Sequence, residues 1–131
     1  MSTHPHFDDR GLRWHTKLSD ALAEAKSSGK HVLIEYGRQA CGNCKTLVEA
    51  VMPAVKAEVE ASFVLLATDC DHPEPEVRAL GAANMAHARS LPFVMYLDAS
   101  GNFVFGTQGG RTKDAFLHDM LHGRQDPTHH H

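Results

Sequence analysis

Apolar positions along the chain follow two patterns: short continuous runs, and longer stretches in which every third or fourth residue is apolar. The continuous runs are His31-Val32-Leu33-Ile34-Glu35-Tyr36, Phe63-Val64-Leu65-Leu66-Ala67-Thr68 and Phe93-Val94-Met95-Tyr96-Leu97. Turn-forming residues close each of them: Gly37, the Asp69-Cys70-Asp71-His72-Pro73 stretch, and Asp98-Ala99-Ser100-Gly101. Their length and their β-branched and aromatic content predict buried strands. Asn102 to Phe105 predicts a last short strand, in a hairpin with the third run, and Gly106 to Gly110 then reads as a loop.

Helical spacing fills the intervals. Ser19 precedes DALAEAK, where Ala21, Leu22 and Ala25 share a face and Ser28-Gly29 follow, so a short helix capped by Ser19 is predicted. CGNCKTLVEAVMPAVKAEVEA places Leu47, Val48, Val51, Val55 and Val59 on one stripe of a long helix, which Pro53 should kink. Pro75 and Glu76 open a third helix through Val77 and Leu80 towards Met85. Thr112 caps a last one, with Phe116, Leu117, Met120 and Leu121 apolar and Gly123 at its end. The alternation predicts an α/β fold of three layers, a mixed central sheet with helices on both faces. One domain is expected over residues 12–123. The polar, His-rich residues 1–11 read as a flexible arm and residues 124–131 as a tail, whose terminal His129, His130 and His131 look like a purification-tag remnant.

Composition narrows the partners. The 131 residues are 42% hydrophobic and 22% charged, and 13 Lys plus Arg against 16 Asp plus Glu leave a net charge of -3. That balance carries no basic surplus for nucleic acid or an acidic membrane. No stretch of apolar residues is long enough to span a bilayer, and MSTHPHFDDRGLRWH lacks the order of a signal peptide. The expectation is a cytoplasmic, monomeric protein, or a periplasmic or exported one if a signal peptide has been removed.

Three cysteines, two of them as Cys41-x-x-Cys44, are not the pattern of a disulfide-stapled scaffold. At a helix start the two thiols lie about one turn apart, close enough to join. Cys41, among unpaired N–H groups, would be the thiolate nucleophile, with Arg38 and Lys45 adding positive charge; Cys44, shielded one turn in, would resolve the mixed disulfide. The competing reading is a half-site for zinc or copper completed by histidine, giving a metal-binding or metal-delivery module. Glu35 is the second informative residue, since a carboxylate is expensive to bury charged. Beneath the helix start it could take the Cys44 proton, through a water; otherwise it faces solvent on a half-covered strand. Cys70 reads as a small buried hydrophobe, Trp14 and Tyr36 as packing anchors, His118 and His122 as solvated surface, and Asp69, Asp71 and His72 as a polar loop rather than a metal site.

The segment VLIEYGRQACGNCK resembles the active-site segment of the thioredoxin superfamily, and the likeness extends over roughly residues 14 to 122. In that family a buried acid precedes the first Cys by six residues, as Glu35 precedes Cys41, and a Lys often follows the second, as Lys45 follows Cys44. A later cis-proline faces the disulfide, which Pro92 matches, and Leu91 before it would offer backbone to an extended substrate. WHTKLSDALAEAKSSGKHVLIEYG and KTLVEAVMPAVKAEVEASFVLLATDCD are most similar to the branch holding the C-terminal domain of the DsbD-type reductase and the small thioredoxin-7-like proteins. The departures are Ala40 where a Trp is usual, Gly42-Asn43 between the cysteines, and Pro53 placed later than in thioredoxin itself. The resemblance implies a thioredoxin-like thiol:disulfide oxidoreductase with Gly42, Asn43, Leu91 and Pro92 meeting the substrate. It implies protein disulfides as substrates and an external electron donor or acceptor. No cofactor is expected, since residues 106–110 do not follow the dinucleotide fingerprint. A non-catalytic binding domain of the same fold is the third reading.

Overall fold

In a computed structural model, which describes residues 3–125, the chain forms a five-stranded mixed sheet between two helical layers. The elements are β1 (Trp14–His15), α1 (Leu18–Ser28), β2 (His31–Gly37), α2 (Gly42–Thr46), a π-helical turn (Leu47–Val51), α3 (Met52–Ala54), α4 (Lys56–Ser62), β3 (Phe63–Asp69), α5 (Pro75–Asn84), β4 (Phe93–Leu97), β5 (Phe103–Gln108) and α6 (Lys113–Gly123). The strand order is β1-β3-β2-β4-β5, so β2, the strand that feeds the cysteines, is central. It pairs in parallel with β3 and antiparallel with β4.

Side-chain alternation divides β2 between two cores. Val32 and Ile34 pack with Ala21 and Ala25 of α1 and Val77 of α5. Leu33 packs on the other face with Cys44, Met52, Tyr96 and Phe116. Each such aliphatic side chain taken from water contributes about 1.5–3 kcal/mol, which is why a strand this apolar sits at the centre. Period two puts Glu35 on the same face as Leu33, opposite Ala67 of β3 and Val94 of β4, and it is 1% exposed. The solvent-facing alternative for this acid is excluded.

Several boundaries differ from expectation. Ser19 does not cap α1: the N-cap is Lys17, which makes no side-chain capping bond, and the Leu18 N–H is taken by Glu74 Oε2 at 2.9 Å, a partner from distant sequence. The predicted long helix is broken up. Pro53 has no N–H to return to residue 49, and the ladder loosens ahead of it into the π turn, where Met52 N–H reaches Leu47 O. The chain then changes direction at Val55 (φ -124°, ψ 35°), not at the proline. Residues 106–108 are strand rather than loop, paired with β4 at Met95, Val94 and Phe93, and the ladder overrides the glycine. Thr112 caps α6 as expected, accepting the Ala115 N–H at 3.2 Å.

The segment before Leu12, expected as an arm, is packed from Thr3 onward. Thr3 Oγ1 accepts the Trp14 N–H at 2.9 Å, and His4 and Phe7 are buried. No helix among the described residues is long and apolar enough to cross a membrane. The expected tail lies mostly outside the described residues, as do His129, His130 and His131.

Candidate functional site

β2 ends at Gly37, and residues 38–40 turn the chain into α2. Cys41 is the N-cap residue (φ -94°, ψ 113°): its Sγ accepts the Cys44 N–H at 3.2 Å, so sulfur stands where a serine or aspartate oxygen commonly caps. Its carbonyl takes the Lys45 N–H and its own N–H goes to Arg38 O, each at 3.1 Å. Both cysteines are free thiols, Cys41 half-buried and Cys44 buried. Burial, reinforced by the bond to Cys41, pushes the Cys44 thiol well above its ordinary range. An accessible thiol therefore sits one turn from a hidden one that gives up its proton reluctantly.

Gly37 brings the acid to that hidden thiol. A Cβ on residue 37 would lie 2.7 Å from Cys44 Sγ and closer still to Glu35 Oε2, so the two atoms flank the space that glycine leaves empty. Glu35 Oε2 is buried and has no hydrogen-bond partner among the described residues. The other oxygen, Oε1, lies 2.8 Å from His4 Nε2, with both side chains buried. His4 is the residue that sequence reasoning missed. The one signal was indirect: a buried carboxylate needs a donor, and no Lys or Arg interrupts the strands. Nothing in the sequence says which of eleven histidines supplies it.

In front of Cys41 lies an open groove of about 610 Å³. Asn43 and Leu91 line it, as do Tyr36 and Phe93, whose rings stack at 5.5 Å. The Leu91–Pro92 peptide is cis. Ser90 O and Pro92 O both accept the Gly109 N–H, at 2.8 and 3.1 Å, which ties this loop to the end of β5. Asn43 rests against Gly110, and Gly42 faces open space.

Other expected groups fall elsewhere. Lys45 is exposed and does not line the groove. Arg38 is committed to Asp71, with bonds of 3.3 and 2.9 Å, so its charge is shared rather than free for Cys41. Cys70, expected in the core, is half-buried at the groove wall. Tyr36 is likewise a groove residue as well as a packing anchor, while Trp14 is buried in β1. His118 is exposed and His122 half-buried, their rings 4.8 Å apart. Among the described residues the group spaced to share a metal is Asp69, Cys70 and Asp71, and it includes neither Cys41 nor Cys44.

Residues 13–99 match the family model described as thioredoxin-like. Over 91 residues, 68% of the chain, it is 33% identical to the thiol:disulfide interchange protein DsbD of Vibrio cholerae, but spans only 15% of that protein. Among solved structures, a thioredoxin from Thermus thermophilus has a TM-score of 0.68 at 24% identity, covering 92% of this chain and 97% of that one. A putative disulphide-isomerase from Bacteroides thetaiotaomicron has a TM-score of 0.66 at 20% identity, covering 94% and 95%. Family model, relative and fold agree with the cysteine-bearing helix start, and the chain belongs to the thioredoxin-like family.

Proposed function

We propose that this chain is a thiol:disulfide oxidoreductase that exchanges the Cys41–Cys44 pair with protein partners. The observation that carries the reading is the division of the pair: Cys41 opens on the groove, while Cys44 is buried beside an acid whose second oxygen has no hydrogen-bond partner among the described residues. The Cys41 thiolate attacks one sulfur of a partner disulfide, and the other leaves as a thiolate. Cys44 passes its proton to Glu35, attacks Cys41 Sγ, and displaces the partner's remaining sulfur, which leaves as a thiol once protonated. The partner gains two electrons and the pair closes into a disulfide. Run backwards, the same steps oxidise a partner dithiol.

The extended partner segment lies along the groove against Leu91, beside Asn43 and the Tyr36–Phe93 stack, as a short added strand, with the buried Pro92 behind Leu91 rather than in the groove lining. Turnover requires a separate protein donor or acceptor of electrons, because the chain carries no dinucleotide fingerprint. The test is a pair of variants assayed with a disulfide-bonded peptide. Cys41→Ser should lose turnover altogether, whereas Cys44→Ser should accumulate the mixed disulfide. Full activity in Cys41→Ser would overturn the proposal.

A further inference from the structure

His4 Nδ1 faces two backbone donors, the N–H groups of Phe7 at 3.2 Å and His6 at 3.3 Å. A ring nitrogen that accepts carries no proton, so the hydrogen of the neutral imidazole sits on Nε2 and is donated to Glu35 Oε1. The ring is held by Phe7, stacked at 5.1 Å, and by Trp14, edge-on at the same distance. The tautomer and the plane of His4 are thus set by residues 6, 7 and 14, and His4 in turn sets the plane of the Glu35 carboxylate. With Oε1 anchored, Oε2 is the oxygen left at the Gly37 gap facing Cys44.

From this chain of contacts, the geometry points to His4 as a positioning residue for the resolving step: it orients Glu35 so that Oε2 takes the proton of Cys44. The inference rests on the oxidoreductase reading above. It makes residues 3–7 part of the working site, through the acid and not through contact with the partner protein. The proton goes from Cys44 Sγ to Glu35 Oε2 as the Cys41–Cys44 bond forms, and from Glu35 through water to the departing thiolate.

Among the described residues, the titratable groups around Glu35 come from two segments. His4 and His6 come from the N-terminal segment and Cys44 from α2; the flanking strands offer the uncharged Ala67 and Val94. Asp69 acts on His6, which burial holds below its ordinary value. Removing the His4 donor leaves the carboxylate with no anchored oxygen in a buried site. Cys44 must then give up its proton to solvent, which grows easier as pH rises.

The test follows the two half-reactions separately between pH 5 and 9 in the full-length reduced protein: formation of the mixed disulfide with a peptide disulfide, and its resolution. His4→Phe keeps an aromatic ring between Phe7 and Trp14 but donates nothing. It should form the mixed disulfide at the wild-type rate, resolve it about tenfold more slowly near neutrality, and approach wild type as pH rises. His4→Gln, whose amide nitrogen reaches the place of Nε2, should restore both the rate and the profile. If His4→Phe does not fold, His4→Asn replaces it, since its shorter amide cannot reach Glu35 and should resolve slowly where His4→Gln does not. Equal resolution by the donating and non-donating variants, or a slowing that is the same at every pH, would overturn the inference while leaving the oxidoreductase reading intact. Loss of mixed-disulfide formation in the wild type itself would instead overturn that reading.

Discussion

Gly37 is where a single hydrogen decides the chemistry. Its backbone carries no positive-φ requirement, so an alanine there meets an obstacle of space alone. The added methyl would press on Glu35 and on Cys44, whose Cβ would lie 3.2 Å away, and both side chains are walled in. Overpacking of this kind costs about 1–3 kcal/mol. Gly37→Ala should therefore lower the urea midpoint at unchanged slope, and it should slow resolution by parting Glu35 from Cys44 while Cys41 still forms the mixed disulfide. Normal resolution in Gly37→Ala would show that the acid does not work through that gap. At this scale the cysteine pair and the buried acid were legible in the sequence, because spacing and an out-of-place charge are one-dimensional signals. His4 was not, because its partner lies thirty-one residues away and its own neighbourhood is polar.

Among the elements, local sequence did well where a run or stripe repeats and poorly where a distant partner intervenes. β2, β3 and β4 fall where continuous apolar runs put them, since burial on both faces leaves no other reading. Ser19 reads as a cap, but Glu74, the N-cap residue of α5, claims the free N–H of α1. The N-terminal segment is the largest such case. Phe7 is only 6% exposed, and its ring holds His4 and meets His6 at 4.6 Å, so a stretch that reads as polar is anchored by one aromatic residue. Phe7→Ala should cost about 3 kcal/mol, the low end for a buried phenylalanine, and should also slow resolution because the clamp on His4 is loosened. Urea denaturation alongside the resolution assay checks both. A stability loss of a few tenths of a kcal/mol would mean that the segment is held by its other contacts, the Thr3 bonds to Trp14 and Asp9.

For the molecule as a whole, the buried thiol couples redox state to stability at high pH. The Cys44 thiol is pushed up by burial first and by its bond to Cys41 second, so the folded protein holds this proton where the unfolded chain, with a cysteine near 8.5, releases it. A group raised in this way contributes stability that is fully present below the unfolded value and is lost as pH climbs towards the folded one. Tyr96, raised by burial and then by Asp119, adds a loss of the same sign that begins later, because an unfolded tyrosine ionises near 10. Cys70 is raised as well, so the Cys44 contribution has to be isolated by difference. In urea denaturation of the reduced proteins from pH 7 to 10, the stability advantage of wild type over Cys44→Ala should hold steady to about pH 8.5. Above that it should shrink by about 1.4 kcal/mol per pH unit, the slope of one proton retained on folding. The oxidised protein has no Cys44 proton to lose, so its alkaline decline should follow Tyr96, Tyr36 and Cys70 and be shallower. A constant gap between wild type and Cys44→Ala across that range would mean that Cys44 ionises in the fold as readily as in the open chain. The resolving step would then need no internal base.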